Sequence, residues 1–279
     1  KAIQNIKGNY IHEPFNFYRY KHYNSVYNDK KYMNVEVISK EYMKEGYKYE
    51  TSFDRIVQEV RWNIDLLDNK NKSRIHLPDF REDAIQMSNV FHKRKYKKFE
   101  LEFIMSDKSI NEDIYIIKFT TKKKRFSYTG RWYPTNYSGV IYINKEDYAI
   151  LKVIQNRETT IYEEDMEKYE YWLGRFKDKY TGKEEYVSEY QKHTDGKYYA
   201  SNYFSRLFSE YTNTKGKFIA YVRESNSILY NYSLENIEVI HFKNFKKETN
   251  LNRINYNPEF WESYNPKEMM EEFWGETHK

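Results

Sequence analysis

Residues 137–156, YSGVIYINKEDYAILKVIQN, set two apolar runs on either side of a charged turn. The runs 140–143 and 148–154 are rich in β-branched and aromatic residues and too short for independent helices, so the pattern predicts a hairpin. Asn144, Lys145, Glu146 and Asp147 supply its polar connection, which needs no catalytic role. On the second strand Ala149, Leu151 and Val153 alternate with Tyr148, Ile150 and Ile154. Apolar residues on both faces predict a strand in the interior of a sheet, covered on both sides.

The same reading extends along the chain. FNFYRYKHY (15–23) alternates rings and polar residues and predicts an early strand, and DIYIIKFT (113–120) predicts another that ends in a solvated turn, TKKKRFSYTG. Residues 185–208 predict a hairpin with Asp195-Gly196 at its turn, followed by strands at 217–223 and 237–245. Residues 25–44 fit a helix or a strand: Val35, Ile38 and Tyr42 have helical spacing, while VEVI suits a sheet. Helices are predicted at 1–7, ended by Gly8, at 83–96 with Ala84, Met87 and Phe91 on one face, and at 266–276 after Pro266. The sum is a mainly β chain: a large curved antiparallel sheet, an incomplete β-barrel, with a few peripheral helices.

Composition modifies this picture in three ways. Hydrophobic content of 39% and a mean hydropathy of −1.03 look too polar for a large core, but 31 Tyr and 17 Phe add apolar area that hydropathy scales undercount. With 279 residues and no linker rich in its five prolines or nine glycines, one β domain over 1–279 is expected. The absence of cysteine excludes disulfides, thiolate zinc sites and a cysteine nucleophile together. The first residue is Lys1, which suggests a mature or truncated chain with its targeting segment upstream.

Candidate chemistry is sparse. Histidines stand at 12, 22, 76, 92, 193, 241 and 278 without a metal-binding pair, and no nucleophile elbow or phosphate loop occurs. Glu163, Glu164 and Asp165 could supply paired carboxylates, yet adjacent acids in a charged segment read as a solvated face. No catalytic, cofactor or metal residue is assigned, and no enzyme activity is expected. Two basic runs, 92–98 and 122–125, lie among Tyr96, Phe126 and Tyr128 and resemble the mix of charge and rings that single-stranded nucleic acids meet. Both fall where an exposed turn or helix end is expected and Glu100 and Glu102 dilute them, so Lys122, Lys123, Lys124 and Arg125 stand as a candidate basic patch without a nucleic-acid partner. The net charge of +5 does not change that reading. Tyrosine pairs 18/20, 47/49 and 230/232 fit either a sugar platform or cross-strand packing, with packing favoured.

Three stretches carry a family resemblance. AIQNIKGNYIHEPFNFYRYKHY (2–23) places Ala2, Ile3, Asn5, Ile6, Asn9, Tyr10, Pro14, Phe15, Tyr18 and Arg19 in positions that resemble the opening of a domain found in exported Bacteroidetes carboxypeptidase-like regulatory domain-containing proteins. Tyr137, Gly139, Ile141, Tyr142, Ile143, Tyr148, Ala149 and Ile150 resemble its middle motif, with Asn144 where Asp is usual. INYNPEFWESYN (254–265) resembles its closing element. The resemblance implies an upstream regulatory domain outside this chain, a place in the periplasm or at the outer membrane, and no peptidase activity. The hairpin is also similar to those of periplasmic lipoprotein carriers, whose half-barrel implies an apolar concave face able to hold an acyl chain.

These readings converge on a non-catalytic, exported binding or assembly module that contacts an envelope protein. A lipid or lipoprotein carrier is the alternative, and an envelope hydrolase built from scattered residues such as His193 or His241 is a third. Tyr142, Tyr148, Ile150, Tyr198, Tyr199 and Tyr203 are the candidate sheet-face binding residues. No segment is apolar enough to cross a bilayer as a helix.

Overall fold

The computed structural model of the chain describes residues 1–48, 53–62, 83–104, 113–240 and 255–274. Its strands are β1 (Phe15–Tyr27), β2 (Lys30–Met43), β3 (Phe53–Trp62), β4 (Phe99–Ile104), β5 (Ile114–Thr121), β6 (Asn136–Asn144), β7 (Ile150–Tyr162), β8 (Phe176–Lys192), β9 (Tyr198–Asn213) and β10 (Phe218–Ser233). They form one ten-stranded antiparallel sheet in the order β3-β2-β1-β10-β9-β8-β7-β6-β5-β4. Among the described residues β3 and β4 are edges, so the sheet does not close. The fold class is as the sequence predicts: mainly β, one large open antiparallel sheet and a few helices.

Turn chemistry sets the local connections. Asn28 and Asp29 have φ of 45° and 62°, the double left-handed geometry of a type I′ turn, which resolves 25–44 as strand, turn and strand. The Asn28 side chain also ties this turn to β10, accepting from Ala220 N at 2.7 Å and donating to the Phe218 carbonyl at 3.1 Å. Asp195 and Gly196 turn the β8–β9 hairpin as predicted, with Gly196 at φ 80°. In the β6–β7 connection Asn144 Oδ1 accepts from Glu146 N and Asp147 Oδ1 from Ala149 N, which confirms the turn at 144–147.

Helix α1 (Ala2–Asn9) clasps that connection from the side. Asn5 and Asn9 both donate through Nδ2 to the Asp147 carbonyl, at 3.2 and 2.9 Å, and the Tyr10 hydroxyl donates to the Ile150 carbonyl at 2.5 Å. Gly8 lies inside this helix, which runs past the predicted stop.

Strand order dictates the cover of the sheet. Because β1 and β10 pair in the middle, the chain runs out to β3 and must then reach β4 at the far edge. Nine strand spacings separate those edges, on the order of 40 Å. The described part of this crossing, residues 83–98, lies over one face of the sheet, here the inner face. It touches β9 and β8 through Asp83, β6 through Ser88 and the end of β5 through Lys98.

The predicted helix over 83–96 is therefore broken. Helix α2 (Ala84–Met87) is a single turn, and Ser88 adopts extended backbone (φ −82°, ψ 128°) before a short 3-10 turn, Asn89–Phe91. The sheet sets the break: Ala84 N donates to Ser188 Oγ, Ile85 N donates to the Tyr190 hydroxyl, and Ser88 Oγ meets the Tyr137 hydroxyl at 2.6 Å. Asp83 caps α2 by accepting from Gln86 N at 3.0 Å, and its carboxylate also accepts from the Tyr190 hydroxyl at 3.0 Å and from the Tyr203 hydroxyl. Ala84, Ile85, Val90 and Phe91 join Phe15, Phe17 and Leu229 on one side and Phe119 and Tyr137 on the other in a single core cluster.

Other elements differ from expectation. Residues 237–240 are irregular rather than a strand, since Asn16 captures their backbone by accepting from Glu238 N and donating to Glu238 O; residues 241–245 lie outside the described residues. A register shift at Tyr142/Ile143 sets Ile150 and Val153 on the same buried face, against the predicted alternation. Helix α3 (Phe126–Thr129) and helix α4 (Met166–Leu173) were not read from the sequence. Helix α5 (Pro258–Ser263), capped by the Asn257 side chain, and helix α6 (Pro266–Trp274) lie near the opposite, outer face, where Trp261 packs with Tyr20, Ile38, Ile228 and Tyr230.

Two predictions follow from this packing. A Cβ on Gly139 would sit 2.0 Å from the Ile154 carbonyl oxygen and 2.5 Å from the Phe119 ring, so Gly139→Ala should destabilise the fold by about 3 kcal/mol, read by denaturant titration. Complete burial raises the Asp83 pKa, and the hydrogen bonds from Tyr203, Gln86 N, Tyr190 and Ile85 N only partly offset it. Its folded pKa then lies above its unfolded one, so its ionised form costs stability above the folded value, and that cost fades as the pH falls through it. Asp83→Asn keeps an acceptor for the cap and should match or exceed the native melting temperature at neutral pH, with the difference shrinking on acidification. Asp83→Ala strands three donors and should cost about 3 kcal/mol or more.

Candidate functional site

The described part of the crossing fills the inner face over β8 and β9 and over the Phe99, Phe119 and Tyr137 end of β4, β5 and β6, and it leaves the other end of those three strands open. What it leaves is a groove of about 830 Å³. Its floor is Tyr115 and Ile117 of β5 with Ile141 and Ile143 of β6, and Leu101 and Phe103 of β4 form its outer wall. Ala2 and Ile3 of α1 close one side, and Val90, Phe91 and Tyr96 of the crossing close the other. Leu101 and Phe103 are 53% and 56% exposed, so the wall is apolar surface in contact with water.

Aromatic packing fixes one end of this groove. Tyr148, held at φ 59° just after the hairpin turn, stacks on Tyr115 with ring centroids 6.2 Å apart, and Phe103 meets Tyr115 edge-on at 5.8 Å. Lys1 donates to the Tyr148 hydroxyl at 3.1 Å, which sets a cation on the rim, and Lys93 is a second rim cation. The arrangement is an apolar trough with positive charge at its lip. It can take an apolar tail and offer cations to an anionic head.

The predicted sheet-face residues divide. Tyr148 lines the groove, and Ile150 lies in the core beneath it. Tyr198, Tyr199 and Tyr203 belong to the same inner-face cluster but are buried, Tyr203 against the crossing, Tyr198 against Tyr10 and Tyr199 against Phe15 and Tyr232. Tyr203 bonds Asp83, Tyr199 bonds Asp195, and Tyr198 donates to Asp147 Oδ2 at 3.0 Å. Burial, together with the bond to the Asp147 carboxylate, pushes the Tyr198 pKa up to about 12. Tyr142 pairs with Ile116 and Lys152 and presents the other face, so the six do not form one surface. Tyr18 stacks on Tyr230, and Tyr20, Tyr47 and Tyr230 are buried, which assigns these tyrosines to packing; Tyr49 lies outside the described residues.

The structure brings together the two basic runs that the sequence keeps apart. Lys122 N donates to the Lys98 carbonyl at 3.1 Å and Lys98 Nζ to the Ser127 carbonyl at 2.7 Å, which joins 92–98 to Lys122, Lys123, Lys124 and Arg125. Among the described residues no group of three His, Cys, Asp or Glu side chains could hold a metal ion. His193 stands in the β8–β9 connection, 3.8 Å from Asp195 and away from the groove; His76, His241 and His278 lie outside the described residues. A second charged cluster, Arg131, Arg157 and Glu184, is an ion-pair network midway along β7 and β8.

Sequence reading missed the groove wall although its signal was present. Phe99-Glu100-Leu101-Glu102-Phe103 alternates with period two, which places the three apolar residues on one face and the two acids on the other. Reading Glu100 and Glu102 only as diluting charges hid the strand between them.

No family model matches the chain, and no curated protein matches it in sequence. Among solved structures it is similar to one describing lipid–protein interactions in lipovitellin, with a TM-score of 0.33 and 9% identity over 82% of this chain and 26% of that one. The chain thus spans about a quarter of that protein's length, and a likeness this loose leaves function to be read from the side chains.

Proposed function

We propose that this chain is a non-catalytic binding module whose ligand is the acyl chain of an anionic amphiphile, held in the groove between β4, β5, β6 and α1. The carrying observation is the groove itself: a volume of about 830 Å³, apolar walls and two cations at the rim. Burying about ten methylenes would contribute roughly 8 kcal/mol before ordering costs, enough for micromolar affinity at best. Beneath the described part of the crossing the inner face is filled by the protein's own side chains, which leaves the open end of β4, β5 and β6 for the ligand. The resemblance of the three motifs to exported Bacteroidetes domains supports a place in the cell envelope.

Protein assembly is the second reading, favoured by β4 itself. It is an edge of the sheet among the described residues and exposes Leu101, Phe103 and Ile104, the features that invite a partner's strand.

A fluorescent fatty acid, cis-parinaric acid, separates these. Its emission should rise on mixing with the native chain. Leu101→Asp should weaken that binding tenfold or more while leaving the melting temperature unchanged, since Leu101 is exposed; Ile117→Trp should weaken it by filling the floor. Unaltered probe binding in both variants would sink the acyl reading. A partner strand would instead slow amide exchange over 99–104, which an acyl ligand should not.

A further inference from the structure

The crossing that leaves the groove open also concentrates charge. Lys93, Arg94, Lys97, Lys123, Lys124 and Arg125 are exposed, and none of them makes an ion pair among the described residues. Some surface cations elsewhere meet acids, as Lys152 does Glu189, Lys168 Asp165 and Arg206 Glu224. Others, such as Lys177, Lys179 and Lys215, are exposed and make no ion pair among the described residues. What sets this patch apart is that two cationic segments meet, Lys122 N donating to the Lys98 carbonyl. With a net charge of only +5, this patch holds an uncompensated share of the chain's positive charge.

A separate observation lies directly beside it. Phe126, the residue after Arg125, stacks on Trp132 with centroids 3.9 Å apart, and Trp132 lies nearly parallel to Trp172 at 5.9 Å and 12°. Tyr171 meets Trp172 edge-on, and all four rings are exposed, Trp132 by 59% and Tyr171 by 88%. Large aromatic rings in water are costly unless something covers them. The rings of Phe126, Trp132 and Trp172 face one another, which limits stacking of nucleobases between them and leaves a joint apolar wedge.

We propose that this wedge and the basic patch together are a docking surface for an anionic lipid membrane. The rings enter the interfacial layer, where the amphipathic Trp and Tyr side chains partition, and the cations meet the lipid phosphates. The patch adjoins the groove rim at Lys93, so docking would bring the groove mouth to the bilayer. This goes beyond the acyl site and does not depend on it.

Flotation of the full chain with vesicles tests it. The native chain should float with vesicles containing phosphatidylglycerol and not with phosphatidylcholine alone, and rising salt should release it. Reversing three charges, Lys123→Glu with Lys124→Glu and Arg125→Glu, should weaken binding by about a hundredfold, at roughly fivefold or more per cation. Trp132→Ser should remove most of the blue shift in tryptophan emission that vesicles induce. The charge-reversed chain should still bind cis-parinaric acid, and Ile117→Trp should still float, which separates failure of this proposal from failure of the groove reading. Equal binding to both vesicle types, no binding at low salt, loss of flotation in Ile117→Trp, or tighter salt-dependent binding of a single-stranded oligonucleotide that competes with vesicles would each overturn it.

Discussion

An open sheet with an apolar inner face is unstable in water until something dries that face, and here the described part of the crossing from β3 to β4, from Asp83 onward, covers much of it. The placement of that crossing depends on Asp83. Its carboxylate receives Tyr190, Tyr203 and the first turn of α2, and it joins a cap, two strands and the segment at one buried point. A carboxylate there is not the cheapest solution, because burial opposes its charge. It does fix register: one acceptor group with two oxygens can satisfy donors from three directions, which an apolar side chain cannot.

Tyrosine is the residue that makes this economy possible. A strand-rich core must bury rings and also satisfy backbone groups where helix turns and irregular segments cross the sheet. Tyr47 accepts from Ala200 N, Tyr232 donates to Ala200 O, Tyr190 accepts from Ile85 N, and Tyr10 donates to Ile150 O. Each ring supplies area and its hydroxyl meets a polar group nearby. Twelve tyrosines are buried among the described residues, so a good part of the chain's tyrosine content serves packing of this kind.

Strands and turns were legible because their cause is local. Period-two alternation and the Asp-Gly turn at 195–196 need no distant partner, whereas the turn at Asn28 and Asp29, which Asn28 ties to β10, left 25–44 open between helix and strand. The family-like motifs were equally visible, and they turn out to be fasteners: Asn5 and Asn9 hold the turn at Asp147, Gly139 lets Phe119 approach β6, and Trp261 seats α5 on the outer face. The break at Ser88 and the irregular path at Glu238 were not legible, since both are imposed by side chains from elsewhere in the sheet, Tyr137 for one and Asn16 for the other. The groove was invisible for a related reason. It is defined by where the crossing ends, and nothing within residues 99–104 or 114–121 records that.

The same topology accounts for the coincidence of apolar and basic surface at one end. A chain that must arrive at β4 from across the sheet delivers residues 92–98 to the edge whether or not they are cationic, and the β5–β6 connection brings 122–125 to meet them. Two positive runs so placed repel each other, and that repulsion works against the fold. An edge strand that exposes Leu101 and Phe103 adds a liability to aggregate. Folding alone would favour acids in one run and polar residues on β4, as Glu100 and Glu102 already provide on the other face. Both departures fall beside the end of β4, β5 and β6 that the described part of the crossing leaves open, and it is on this coincidence that the proposed acyl site and membrane surface rest.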